Sequence, residues 1–222
     1  MLRFGLTQQG YEVWEASNGL EAHDLLREIK PDLVILDLNL PGIKGQEVCH
    51  SIRMADPNLP IVILSVCNAE TDKVSLLDAG ADDFVTKPFS LPELTARVRR
   101  CLRRTHSPAE ESLTFRDDRL EIDFASRRIV LDGKRVRLTP KETEVLRYLV
   151  AHAGKPVTHR ELLRSVWGAD YGDEVGYLRV FINRLRMKIE PNPAEPAYVL
   201  TEPWVGYVFA QLNPSSGEAD RQ

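Results

Sequence analysis

Over the first hundred positions, short unbroken apolar runs alternate with apolar residues at helical spacing. Residues 2–9 read as the end of a helix closed by Gly10, and Tyr11 to Ala16 as a strand. Leu20 to Ile29 has helical spacing, and Pro31 stops it. Leu33 to Leu36 then run without a break into Asp37, with Pro41-Gly42 beyond. That is the pattern of a strand buried on both faces of a parallel sheet. Gly45 to Met54 predicts a helix, Leu59 to Val66 a second buried strand, and Thr71 to Ala79 a helix ended by Gly80. Asp83 to Thr86 predicts a short strand running into Lys87-Pro88-Phe89. Ser90-Leu-Pro-Glu93 is a capping box, in which Ser and Glu satisfy each other's orphan amides, and it opens a basic helix through Arg104. Alternating strands and helices make the predicted sheet parallel.

The periodicity stops at Thr105 to Ser112, THSPAEES, which reads as a linker between a domain over residues 1–104 and a second over 113–212. From Leu113 to Leu138 four short runs, LTF, RLEIDF, RRIVL and KRVRL, predict a small antiparallel sheet, with Asp132-Gly133 turning the last hairpin. Thr139-Pro-Lys-Glu142 opens a helix with a buried stripe of Val145, Leu146 and Leu149. Thr158-His-Arg-Glu161 opens another, carrying Leu162, Leu163, Val166 and Trp167 and ended by Gly168. In the helix from Gly176 to Ile189, Leu178, Ile182, Leu185 and Ile189 share one face, bordered by Phe181. Tyr198 to Leu200 and Tyr207 to Phe209 flank a tip at Pro203-Trp204-Val205-Gly206, a terminal hairpin. Residues 213–222 read as a disordered tail.

Composition adds limits. The 222 residues are 28% charged and 43% hydrophobic, which is soluble, globular usage. No apolar stretch approaches membrane-spanning length, and no secretory pattern follows Met1, so a cytoplasmic protein is expected. Cys49, Cys67 and Cys101 lie far apart and read as reduced thiols. The net charge of −4 alone argues against a nucleic-acid partner, but its distribution does not. Residues 1–104 carry 12 Lys/Arg against 15 Asp/Glu, whereas residues 113–212 carry 16 against 14.

Three strand ends hold the candidate chemistry. Asp37, Ser65 and Lys87 close successive parallel strands, whose carboxyl ends share one rim. A phosphoryl group on Asp37 would add about 1.5 to 2 negative charges, which Lys87 could offset while Ser65 donates a hydrogen bond. Taken singly, Asp37 with Lys87 is a structural ion pair and Ser65 a helix cap; the three together favour phosphate chemistry. In the second half, two helices followed by a hairpin form a winged helix-turn-helix. Its last helix carries Arg179, Arg184, Arg186 and Lys188 with no acidic residue, a set able to read base edges and phosphates in a major groove.

The segments LVILDLNLPGIKG, IVILSV and AGADDFVTKPFSLPEL resemble the receiver domain of two-component response regulators, an α/β flavodoxin-like fold. RLTPKETEVLRYLVAHAGKPVTHRELLRSVWG and YLRVFINRLRMKIE resemble the α+β winged-helix effector domain of OmpR/PhoB-type regulators, nearest the KdpE branch, which controls potassium-transport genes. The resemblance implies Asp37 as phosphoacceptor, Ser65 and Phe84 as switch residues and Lys87 as the phosphate-contacting lysine. It implies Mg2+ held by Asp37 and the backbone carbonyl of Asn39. Lys73, Asp82, Asp83, Glu93, Arg97 and Arg99 match a dimer interface. Arg179, Val180, Asn183 and Arg184 match base-facing positions and Tyr177 a phosphate-facing one. In the wing, Pro203 and Val208 stand where relatives carry basic residues, leaving Trp204 and Tyr207 to pack on the DNA backbone. The implied partners are double-stranded DNA, a sensor histidine kinase, a second copy and RNA polymerase.

The family's receivers begin with a strand ending in two acidic residues that help to hold the metal, and this chain starts after them. Two explanations are open: a misassigned start, or a receiver kept as a dimerisation scaffold. The first predicts phosphorylation-gated DNA binding, the second constitutive binding. An enzyme is not expected, since no Gly-rich nucleotide loop, H-E-x-x-H or nucleophile elbow is present.

Overall fold

The computed structural model describes residues 2–38, 45–66, 75–102 and 113–211. These form two compact units, the first built mainly on residues up to Thr105 and the second mainly on those after it.

In the first unit α1 spans Leu2–Gln8, α2 Gly19–Ile29, β1 Val34–Asp37, α3 Gly45–Ala55, β2 Ile61–Ser65, β3 Asp83–Thr86 and α4 Leu91–Leu102. Residues 75–78 add a helical turn. Asn18 caps α2, its side chain accepting from the amides of Leu20 and Glu21 at 3.1 Å, and Glu21 reaches back to the Ser17 amide at 2.7 Å. The three strands are parallel in the order β1-β2-β3. β2 is central and wholly buried. One core cluster gathers Val62, Leu64 and Val85 under Leu94 and Val98 of α4.

Two expectations for this unit fail. Tyr11 to Ala16 form no strand; a strand requires a ladder partner, and no described segment pairs with it. β1 is not buried on both faces: only Leu36 is buried and Val34, Ile35 and Asp37 are half-buried. The reason is position, because among the described residues β1 ends the sheet and pairs with β2 alone.

In the second unit β4 (Thr114–Arg116), β5 (Leu120–Asp123), β6 (Arg128–Leu131) and β7 (Lys134–Arg135) form the expected antiparallel sheet in sequential order. Asp132 and Gly133 both take positive φ, 49° and 75°, as the tight hairpin turn demands. Three helices follow: α5 (Pro140–Ala151), α6 (His159–Trp167) and α7 (Val175–Ile189). The capping box before α5 is complete, with the Thr139 amide on Glu142 at 2.8 Å and the Glu142 amide on Thr139 Oγ1 at 3.3 Å. β9 (Val199–Glu202) and β10 (Gly206–Phe209) form the terminal hairpin.

A two-residue strand, β8 (Val157–Thr158), was not expected; it joins the hairpin in the order β8-β10-β9. The approach is close, since a Cβ at Gly206 would lie 2.0 Å from the Val157 carbonyl oxygen. Phe115 packs edge-on against Phe209 at 5.0 Å and Tyr198 at 5.9 Å, and so joins the β4–β7 sheet to the hairpin.

Candidate functional site

The carboxyl ends of β1, β2 and β3 place three of the expected residues on one rim. Asp37 stands opposite Leu64, one residue short of Ser65, and Ser65 pairs with Thr86. The amide of Lys87 donates to the Ser65 carbonyl at 2.6 Å, so the chain crosses the end of β2 as it leaves β3. Lys87 Nζ then donates to Asp37 Oδ2. This ion pair is open to solvent, with side-chain exposures of 36% for Asp37 and 28% for Lys87. Ser65 and Phe84 are buried. A carboxylate nucleophile with an ammonium already on one oxygen can accept a phosphoryl group without a bare increase in negative charge.

The magnesium expectation fares differently. Asn39 lies outside the described residues. Among those described, no three His, Cys, Asp or Glu side chains gather as a metal site. Asp37 Oδ2, an oxygen that a cation would use, is taken by Lys87. The described donors do not fit a divalent ion by themselves.

α7 presents the second candidate surface. Its apolar face is as expected: Leu178, Ile182, Leu185 and Ile189 are buried, and Phe181, expected at the border, is buried with them. Arg179 and Asn183 are exposed, Arg184 and Lys188 half-buried. The Arg184 guanidinium lies 5.6 Å from the centre of the Phe181 ring. Tyr177 and Val180, expected among the DNA contacts, are each 5% exposed. Arg186 reaches the wing, donating to the Val199 carbonyl and the Thr201 hydroxyl. At the wing tip Trp204 is fully exposed on a backbone of φ 67°. Tyr207, expected to pack beside it on DNA, is buried with its ring edge-on to His159 at 5.4 Å.

Comparison with known proteins decides the family. A response regulator receiver domain model matches residues 1–99, and a model of the C-terminal domain of transcriptional regulatory proteins matches residues 133–209. The chain is 43% identical over 209 residues to the transcriptional regulatory protein KdpE of Mycobacterium tuberculosis, across 94% of this chain and 92% of that one. It belongs to the OmpR/PhoB family of two-component response regulators, near the KdpE branch. A solved structure of a RitR mutant shares the fold at 24% identity and a TM-score of 0.75, covering 95% of this chain and 93% of that one.

As an OmpR/PhoB response regulator the chain is a transcription factor gated by phosphorylation, with DNA and a sensor kinase as partners. No described helix is long and apolar enough to cross a membrane. The residues matched to the family's dimer face are largely engaged within the chain. Asp82 is buried against Arg53 at 2.6 Å. Asp83 is buried against Arg97 at 3.1 Å, and Arg97 also meets Glu93 at 3.4 Å. Lys73 lies outside the described residues. Glu93 and Arg99 remain exposed.

Sequence reasoning missed Arg53. Its guanidinium donates to Asp82 and to the carbonyls of Pro57, Leu59 and Gly80, at 2.6 to 3.1 Å. The helix containing it has no local signal for this, because all four acceptors are supplied by later loops.

Proposed function

We propose that Asp37 is the phosphoacceptor through which this response regulator is switched. The observation that carries this is the half-exposed Lys87–Asp37 pair on the rim where buried Ser65 ends the neighbouring strand. A carboxylate oxygen of Asp37 attacks phosphorus on the kinase phosphohistidine or on acetyl phosphate. The new P–O bond forms as the bond to the leaving group breaks, and the leaving group keeps the electron pair. Lys87 moves its charge from carboxylate to phosphoryl oxygens. Ser65 then supplies a hydroxyl to the phosphoryl group, with Phe84 following it. Magnesium is what the family implies for this step; Asp37 and the Asn39 carbonyl would be two of its oxygens, and the described residues do not complete the set.

The output is DNA binding by two copies that meet through the exposed charges Glu93 and Arg99. Each places α7 in a major groove, where Arg179, Asn183 and Arg184 read bases and Lys188 meets phosphate. Tyr177 and Val180 would first have to come to the surface. Trp204 at the wing tip packs on the sugar-phosphate backbone. Contact with RNA polymerase and control of potassium-transport genes extend the likeness to KdpE.

Acetyl phosphate with magnesium tests this. The full chain should gain one phosphoryl group by intact-mass measurement and bind a duplex selected from random sequence more tightly. Asp37→Ala should lose both responses. Unchanged mass and unchanged binding would make the first unit a scaffold and the DNA binding constitutive.

A further inference from the structure

β9 is the outer strand of the wing sheet, so its outer edge has no strand partner among the described residues. At Val199 both main-chain groups are nevertheless taken by side chains from the end of α7. Arg186 Nε and Nη2 donate to the Val199 carbonyl at 2.9 and 2.6 Å, and Nη2 also donates to Thr201 Oγ1 at 2.8 Å. One turn on, buried Glu190 accepts from the amides of Ala197 and Val199 at 2.7 Å and of Tyr198 at 3.0 Å. The Arg186 guanidinium also lies 5.9 Å from the centre of the Tyr207 ring on β10. Cation and anion thus grip successive main-chain groups at the start of β9 and just before it, the guanidinium on carbonyl oxygen and the carboxylate on amide hydrogen.

We infer that Arg186 is a positioning residue of the DNA reader: with Glu190 it fixes the pitch of the wing against α7, so that helix and wing tip meet DNA as one rigid body. The inference rests on reading the second unit as a DNA binder with Trp204 at its tip. A guanidinium with two nitrogens turned onto one carbonyl cannot offer that same fork to a phosphate. The clamp sits at the base of a lever. From Val199 to Trp204 is roughly five residues at about 3.3 Å each, or about 16 Å. A tilt of about 10° at the base would therefore carry the indole about 3 Å away, enough to lose a contact.

Salt dependence separates this role from a phosphate contact, and a double-mutant cycle separates it from a general loss of fold. Arg186→Gln, Trp204→Ala and their combination are compared in the full chain, on a short duplex selected from random sequence by the wild-type chain. Arg186→Gln should weaken binding roughly ten-fold with an unchanged slope of log K against log salt. Trp204→Ala should weaken the wild type but add little to Arg186→Gln. Amides of 197–202 and 206–209 should exchange faster, while those of α5 keep their protection. A slope lower by about one would make Arg186 a phosphate contact and overturn the proposal. So would additive losses, or unchanged exchange in the wing.

If Arg186→Gln unfolds the unit, Thr201→Val decides by the same cycle. It removes one acceptor of the clamp; non-additivity with Trp204→Ala supports the proposal and additivity overturns it. A wild-type chain that enriches no duplex would sink the DNA-binding reading itself, and the exchange measurement would still judge the clamp.

Discussion

Asp37 and Asp82 are both aspartates beside a strand of the same three-stranded sheet, each with a basic partner, and they are built to opposite ends. Asp82 lies at the amino edge, where β2 begins. Its Oδ2 accepts from the Ile61 amide at 3.0 Å and from Arg53 at 2.6 Å, and the two side chains are only 1% and 12% exposed. Asp37 lies at the carboxyl edge, paired with a lysine, and both members are about a third exposed. The buried pair uses a guanidinium whose donors are also locked onto three carbonyls. The open pair uses a flexible ammonium that can follow a moving charge. A closed ion pair holds a fold in register, and an open one leaves a nucleophile within reach of a donor.

The sharpest way to break this contrast is to remove one cation from each pair. Arg53→Ala takes the guanidinium from the buried Asp82 carboxylate and should destabilise the first unit by about 3–5 kcal/mol. Urea titration, followed by hydrogen exchange in peptides from β1 to β3, measures it. A loss near zero would mean that Asp82 is not held by Arg53 at all. Lys87→Ala should cost less than about 1 kcal/mol in the same titration, because the pair is partly solvated, yet should abolish the response to acetyl phosphate. If Lys87→Ala were as costly as Arg53→Ala, the rim pair would be structural and the phosphoacceptor reading would weaken.

The smallest effect sharpens the comparison from the second unit, where a phenol takes the place of a cation. Burial pushes the Tyr198 hydroxyl well above its ordinary value, and donation to Asp117 at 3.2 Å adds to the shift. The folded value therefore exceeds the unfolded one. The stability from keeping that proton is fully present below about pH 10 and is lost as pH rises through the folded value. Tyr198→Phe should cost about 1 kcal/mol or less at neutral pH. Above about pH 10 its unfolding midpoint should fall less steeply than that of the wild type. Parallel midpoint curves for the two would show that the phenol is not protected.

The parts of the fold read correctly were those with local causes. The capping box at Thr139, the Thr158 hydroxyl cap on the Glu161 amide, the Asp132-Gly133 turn and the apolar face of α7 are each decided within a few residues, and all are present. The order of the rim residues was legible because parallel strands must end together. The failures were questions of neighbours. Tyr11 to Ala16 has strand composition but no described partner, and β1 has a core-strand sequence at an end of the sheet. β8, at two residues, is too short to have a period. The site followed the same division. Arg186 has the look of a groove-facing cation, and only the return of the chain at Val199 gives it another use. Asp82 and Asp83 read as surface charges until Arg53 and Arg97 close on them.

Gly206 sets a limit on how this reader can diverge. Hydrogen is the one side chain that clears the Val157 oxygen there, so the seat of the hairpin offers no room for gradual retuning by ordinary substitution. On the DNA-reading role proposed for them, divergence in target preference would be channelled to side chains that stand out in solvent, Arg179 and Asn183 on the helix and Pro203 to Val205 at the tip. A lineage can change what is written at those places, while the mount that carries them stays as it is.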